Sequence, residues 1–135
     1  MMPFKSMFLA LVSVQALHSI EEYAFRLYEV FPPARFVSRL LSSDLQRGFV
    51  TFNIGLVAFG FLCYLWPVRR EWPSVVRVAW LWVGIELVNG IGHPAWSLAR
   101  RGYTPGVVTS LVLLPLALVL ARRLRARSGA RPVVA

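Results

Sequence analysis

Gln15-Ala16-Leu17-His18-Ser19-Ile20-Glu21-Glu22-Tyr23 places a histidine and two carboxylates directly after an apolar run, inside what otherwise reads as a membrane-spanning helix. In a helix His18 lies one turn before Glu22 and beside Glu21 on the same side, so all three can address a single partner or ion. Such groups persist in apolar surroundings only when paired, neutralised or coordinated. An intramembrane cluster of this kind is therefore a candidate functional site, and the rest of the chain is read against it.

Of the 135 residues, 57% are hydrophobic and only 16% charged, a balance foreign to ordinary soluble domains and natural for an integral membrane protein. Fifteen Lys and Arg against six Asp and Glu give a net charge of +9. The arginines sit between or after the apolar runs and form no regular basic face with interleaved aromatics, which fits membrane topology and argues against a nucleic-acid partner. The single cysteine, Cys63, lies in an apolar run, so neither an internal disulfide nor a cysteine metal cage is available.

Four apolar segments are expected to cross the bilayer, at about residues 7–27, 49–66, 75–96 and 107–121, followed by a basic tail over 122–135. The first could instead be a cleavable signal peptide, but it lacks a clear small-x-small cleavage site. Phe31-Pro32-Pro33 is expected to end the first helix. Residues 34–46 form an amphipathic connection suited to a short interfacial helix between spans 1 and 2. Trp66-Pro67 and Trp72-Pro73 bracket a charged turn, with tryptophans where an aromatic belt would sit. Pro115 interrupts the fourth span, and the tail arginines suit anionic headgroups. The fold class is thus all-α, an integral membrane four-helix bundle with its partner the lipid bilayer. Nine positive residues on the side of the termini against six on the other favour cytoplasmic termini by the positive-inside rule.

On the third span Glu86, Asn89 and His93 stand at i, i+3 and i+7, which confines them to one face. Gln15, His18 and Glu22 repeat that spacing on the first span. His18 and Glu22 lie late in an outgoing helix, Asn53 early in the returning one, and His93 late in the next outgoing one. All are expected in the same half of the membrane, capped by Tyr103, Thr104, Pro105, Gly106 and Thr109. Two imidazoles with two or three carboxylates suit a divalent metal such as zinc, iron or manganese, with His18, Glu22, Glu86 and His93 as ligands. The alternative needs no metal: His18, Glu21, Glu22, Glu86 and His93 would act as acids and bases on a lipid-soluble substrate, as in an isomerase or cyclase. Asn53, Asn89 and Tyr103 are the candidates for holding a ligand. The non-catalytic readings are a small-molecule or ion carrier and an interhelical hydrogen-bond network in a structural subunit. A bundle of four short spans encloses little volume, which favours a homodimer that completes the cavity.

His18-Ser19-Ile20-Glu21-Glu22 resembles the defining signature of the HXXEE-motif family of small bacterial membrane proteins, a family without a well-established activity. Glu86-x-x-Asn89-Gly90-x-x-His93 and Arg101-Gly102-Tyr103-x-Pro105-Gly106 are also similar to it, so the likeness covers about residues 15 to 110. It implies a shared polar site and a bacterial cytoplasmic membrane, and supplies no reaction. A looser similarity to the sterol-isomerase (emopamil-binding) type of membrane enzyme rests only on His and Glu groups within a small helical bundle.

Overall fold

Helix α1 (Phe4–Ala24) buries a single stripe: Phe4, Met7, Phe8, Leu11, Val12, Gln15, His18, Ser19 and Glu22. The spacing is that of one helix face turned toward a core, apolar in its first half and polar in its second. A computed structural model describes residues 2–129 of the chain, and the end of the basic tail lies outside the described residues.

After α1 the backbone turns at Arg26, whose φ of 56° is left-handed, into the single turn α2 (Leu27–Val30). Pro32 and Pro33 do not merely end a helix; they occupy the first positions of α3 (Pro32–Leu41). A proline there gives up an N–H that has no intrahelical partner anyway, and its fixed φ suits the helix start. The expected amphipathic connection is this helix, shorter than 34–46 because Ser42 is extended and Asp44 caps the next element. Asp44 accepts from Arg47 N at 2.9 Å and opens α4 (Leu45–Cys63). That helix widens into a π turn over Tyr64–Val68 around Pro67, with Arg69 N bonding Tyr64 O at 2.8 Å. Proline inside a helix removes a ladder donor and crowds the preceding turn, which the wider turn relieves.

Helix α5 (Val75–Arg100) continues through Pro94 and closes at Arg101, φ 54°. Helix α6 (Val107–Gly129) continues through Pro115 and past residue 121, so the first basic residues of the tail are helical. Among the described residues there are six α-helices and no strand.

Three stretches are long and apolar enough to cross a membrane: Leu45–Val68, Val75–Arg100 and Val107–Arg127. Large apolar side chains such as Ile54, Val88, Leu98 and Leu111 point outward from them, as a lipid solvent requires. Helix α1 has the length, 21 residues, but carries Lys5, Gln15, His18, Glu21 and Glu22 and is not among the three.

Helix α6 packs along α5, α1 lies against both α6 and α4, and α3 lies on α4. Phe8, Leu11, Val12, Ala79, Trp82, Val83, Leu113, Ala117 and Leu120 form the apolar core. Helices α5 and α6 approach closely at Gly90, where a Cβ would sit 2.7 Å from that of Leu114. The ends sort into two sets. Phe4, Val68, Val75 and Arg127 surround one hollow at one end. At the other, the end of α1, the end of α5 and the start of α6 converge, and there the polar half of the α1 stripe is buried.

Candidate metal centre

At that second end Glu22 Oε1 lies 3.3 Å from His18 Nε2 and 3.1 Å from His93 Nε2. The three ligand-type atoms fall within 4.8 Å of one another, and all three residues are buried. The imidazoles meet edge to face, with centroids 4.7 Å apart and planes at 84°.

The neighbours determine where the imidazole protons sit. His93 Nδ1 is 2.8 Å from the Pro105 carbonyl, which can only accept, so Nδ1 carries the hydrogen. His18 Nδ1 is 2.8 Å from Thr109 Oγ1. That hydroxyl has one hydrogen and gives it to Glu21 Oε2 at 2.6 Å, so it must accept from His18. With each Nδ1 committed to its own acceptor, both Nε2 atoms face the same carboxylate oxygen, as bare lone pairs if the rings are neutral and as donors if they are protonated. His18 Nε2 is buried and makes no hydrogen bond among the described residues. Three acceptors facing one another repel unless a cation or additional protons lie among them. Ligand atoms about 2.0–2.2 Å from a tetrahedral or octahedral divalent ion are separated by about 2.8–3.6 Å; the two separations from Glu22 Oε1, 3.1 and 3.3 Å, lie in that range, and the two Nε2 atoms lie within 4.8 Å of each other.

The surroundings resemble a metal site's outer shell, in which each ligating histidine donates its other N–H to a carbonyl or carboxylate and is thereby held in orientation. For His93 that partner is Pro105 O; for His18 it is Glu21 through Thr109. Glu21 does not reach the cluster. It accepts from Val108 N at 3.2 Å, Thr109 N at 2.9 Å and Tyr103 OH at 2.8 Å, capping the unsatisfied N–H groups that open α6. Partial burial and the adjacent Glu21 carboxylate push the Tyr103 phenol above its ordinary pKa, so it remains a donor. The two glutamates of the motif thus have separate tasks, set by a rotation of one residue along α1.

Gly106, at φ 89°, closes the centre. A Cβ there would lie 2.7 Å from His93 Cε1 and 2.8 Å from His18 Cε1, so both the backbone conformation and the packing require glycine.

Glu86 lies on the same face of α5 as His93 but two turns earlier, fully buried, and is not in the trio. Its partners are Gln15 and Asn89. With the Gln15 amide nitrogen facing it, that nitrogen is 3.0 and 3.1 Å from the two carboxylate oxygens, while Gln15 Oε1 accepts from Ser19 Oγ at 3.2 Å. Turned over, Gln15 Oε1 accepts from Asn89 Nδ2 at 3.1 Å and faces the Glu86 carboxyl, an arrangement suited to the protonated acid. Asn53 is buried on α4, donates to Phe49 O at 3.1 Å, and shares a cavity of about 180 Å³ with Gln15, Glu22, Asn89 and His93. Helix α3 covers that cavity with Pro33, Ala34 and Val37. Phe31 helps to enclose it and packs on Trp96 at 4.6 Å between ring centroids.

Of the residues singled out from the sequence, His18, Glu22 and His93 come together, with Asn53 and Asn89 on the adjoining cavity. Glu86 is one step removed, and Glu21 and Tyr103 stand behind Thr109. Sequence reasoning gave Phe31 only the task of stopping a helix, and gave Pro105 no part in holding His93. A carbonyl acceptor carries no side-chain signal.

The sequence family described as "Protein of unknown function with HXXEE motif" matches residues 9–120, a stretch that contains every group of the centre. No curated protein matches the chain, and no solved structure does.

Proposed function

The chain belongs to the HXXEE-motif family, and on that premise we propose that His18, Glu22 and His93 hold a divalent metal in a membrane enzyme acting on a hydrophobic or amphipathic small molecule. The observation that carries this reading is the convergence of two Nε2 atoms on Glu22 Oε1 in a buried pocket, with both Nδ1 atoms held by Pro105 O and Thr109 Oγ1. Two imidazoles and a carboxylate suit zinc first, then iron or manganese. A set of three protein ligands, short of the four that close a structural zinc site, is the pattern of catalytic sites, where an open position takes water or substrate. Glu22 and His93 line the 180 Å³ cavity, which supplies that position. Bound there, the ion would polarise an oxygen of the substrate or lower the pKa of a water. Gln15, Asn53 and Asn89 would orient the ligand from the facing wall. In this reading α1 crosses the membrane as the fourth span, its polar groups turned inward, and the charge bias puts both termini in the cytoplasm.

A second reading, metal-free acid/base chemistry, is favoured by one observation: Gln15 can serve Glu86 in either protonation state by rotating its amide. Zinc titration against a competing chelator separates the two. Wild type and Glu86→Gln should bind about one equivalent, whereas His18→Ala and Glu22→Gln should not. If all four fail to bind zinc, iron or manganese while Glu86→Gln abolishes turnover, the acid/base reading replaces the metal one.

A further inference from the structure

Between α1 and α4 runs a groove of about 610 Å³, walled by Ala16, Ile20, Val50, Ile54, Val57 and Ala58. It is open on the outer face of the bundle, where Ile20 and Ile54 are more than three-fifths exposed. Ala16 and Ala58, with the smallest side chains in its lining, stand on opposite helices of the groove. The groove shares a wall with the inner cavity. Phe49 and Asn53 line both it and the 180 Å³ cavity beside Glu22 and His93, so the two spaces adjoin across Asn53.

We propose that the α1–α4 groove receives the alkyl chain of a single-chain amphipath, whose small oxygen-bearing, uncharged head passes Asn53 into the cavity at Glu22 and His93. This rests on the metal-centre reading for what happens to the head, but the binding path stands on the adjoining spaces alone. Three features define the class. Seven of the ten lining residues of the groove are apolar, with Ser19, Tyr23 and Asn53 the polar ones, so most of its wall takes hydrocarbon from the membrane without dehydrating polar groups. The cavity is far smaller than the groove, which admits an alcohol, aldehyde, ester or amide and excludes a phospholipid headgroup. Among the described residues no lysine or arginine lines the cavity, whereas the amides of Gln15, Asn53 and Asn89 offer both donors and acceptors to a neutral oxygen function. A long-chain compound held this way reaches the site laterally from the bilayer, without passing through water.

The probe is a long-chain primary alcohol with a diazirine near its far end and a terminal alkyne, added to the full-length protein in phosphatidylcholine nanodiscs. After photolysis, labelled peptides are mapped by mass spectrometry. Labelling should concentrate on α1 and α4 residues of the groove, be competed by unlabelled long-chain alcohol, and resist excess phospholipid. Ala58→Phe should reduce it by about tenfold or more while zinc binding is retained. Ile54→Trp, on the exposed rim, provides a second obstruction if Ala58→Phe does not assemble. Labelling spread evenly over outward residues such as Val88 of α5 and Leu111 of α6, or unchanged in both variants, would overturn the proposal. Competed groove labelling in a protein that binds no metal would retain the path and remove the metal-centre reading instead.

Discussion

The buried stripe of α1 has two halves that share one geometry and differ in chemistry. Phe8, Leu11 and Val12 meet Trp82, Leu113 and Ala117 by shape alone, with Trp82 edge-on to Phe8 at 6.4 Å. About one to three turns later the same face presents Gln15, His18 and Glu22, which meet Glu86, His93 and Thr109 through polar contacts. In the apolar half any well-packed hydrocarbon of the right volume would serve, because dispersion is not directional. In the polar half each atom has an assigned donor or acceptor role, and a change of one atom alters the site without altering the packing. The difference separates an end packed by shape from an end held by directed polar contacts.

The comparison can be broken most forcefully at Trp82. Trp82→Ala would leave a void where α1, α4 and α5 meet and should lower stability by about 3–5 kcal/mol. Metal affinity of the fraction that remains folded should be unchanged, a contrast measurable by thermal unfolding with and without zinc. Gly106→Ala acts at the other end. A methyl group at φ 89° costs about 1–3 kcal/mol and would press on both imidazoles. It should therefore remove metal binding as well as stability, and retained wild-type affinity would show that the rings are not packed as described. Thr109→Val is subtler still: it keeps the shape but withdraws the hydroxyl between His18 and Glu21. Outer-shell losses of this kind reduce metal affinity about 10- to 100-fold, which chelator competition reads directly.

The smallest effect is expected at the surface. Lys5 bonds Glu71 at 2.6 Å and holds its carboxyl below the usual carboxylate range. A depressed folded pKa means that any contribution to stability is present above the ordinary glutamate value and lost as the pH falls through the lower folded one. The pair is exposed, so Glu71→Gln should lower stability at neutral pH only slightly, and that small difference from wild type should vanish as the pH falls through the acid limb of a stability profile.

Much of the site was legible because helical periodicity is rigid. Gln15, His18 and Glu22 share a face, as do Glu86, Asn89 and His93, and those faces meet. The period could not fix height with the same force. Glu86 and His93 differ by seven residues, about 10 Å along the axis, so only His93 reaches Glu22. Nor could it separate Glu21 from Glu22, since both lie within a turn of His18; the start of α6 decides that Glu21 becomes a cap. Pro32-Pro33 signalled a boundary without its direction, because proline is equally at home after one helix and at the first turn of another. The apolar runs of α4, α5 and α6 were plain, whereas the polar residues of α1 keep it from being among the stretches apolar enough to cross a membrane.

Whether His18, Glu22 and His93 hold one metal ion, as proposed, is decided by X-ray absorption at the metal edge of purified wild-type protein. The account predicts about one ion per chain, with two imidazole nitrogens and a carboxylate oxygen at about 2.0–2.2 Å, no sulfur, and loss of one imidazole contribution in His93→Ala. A wild-type protein that takes up no ion, or a spectrum that His93→Ala leaves unchanged, would contradict it.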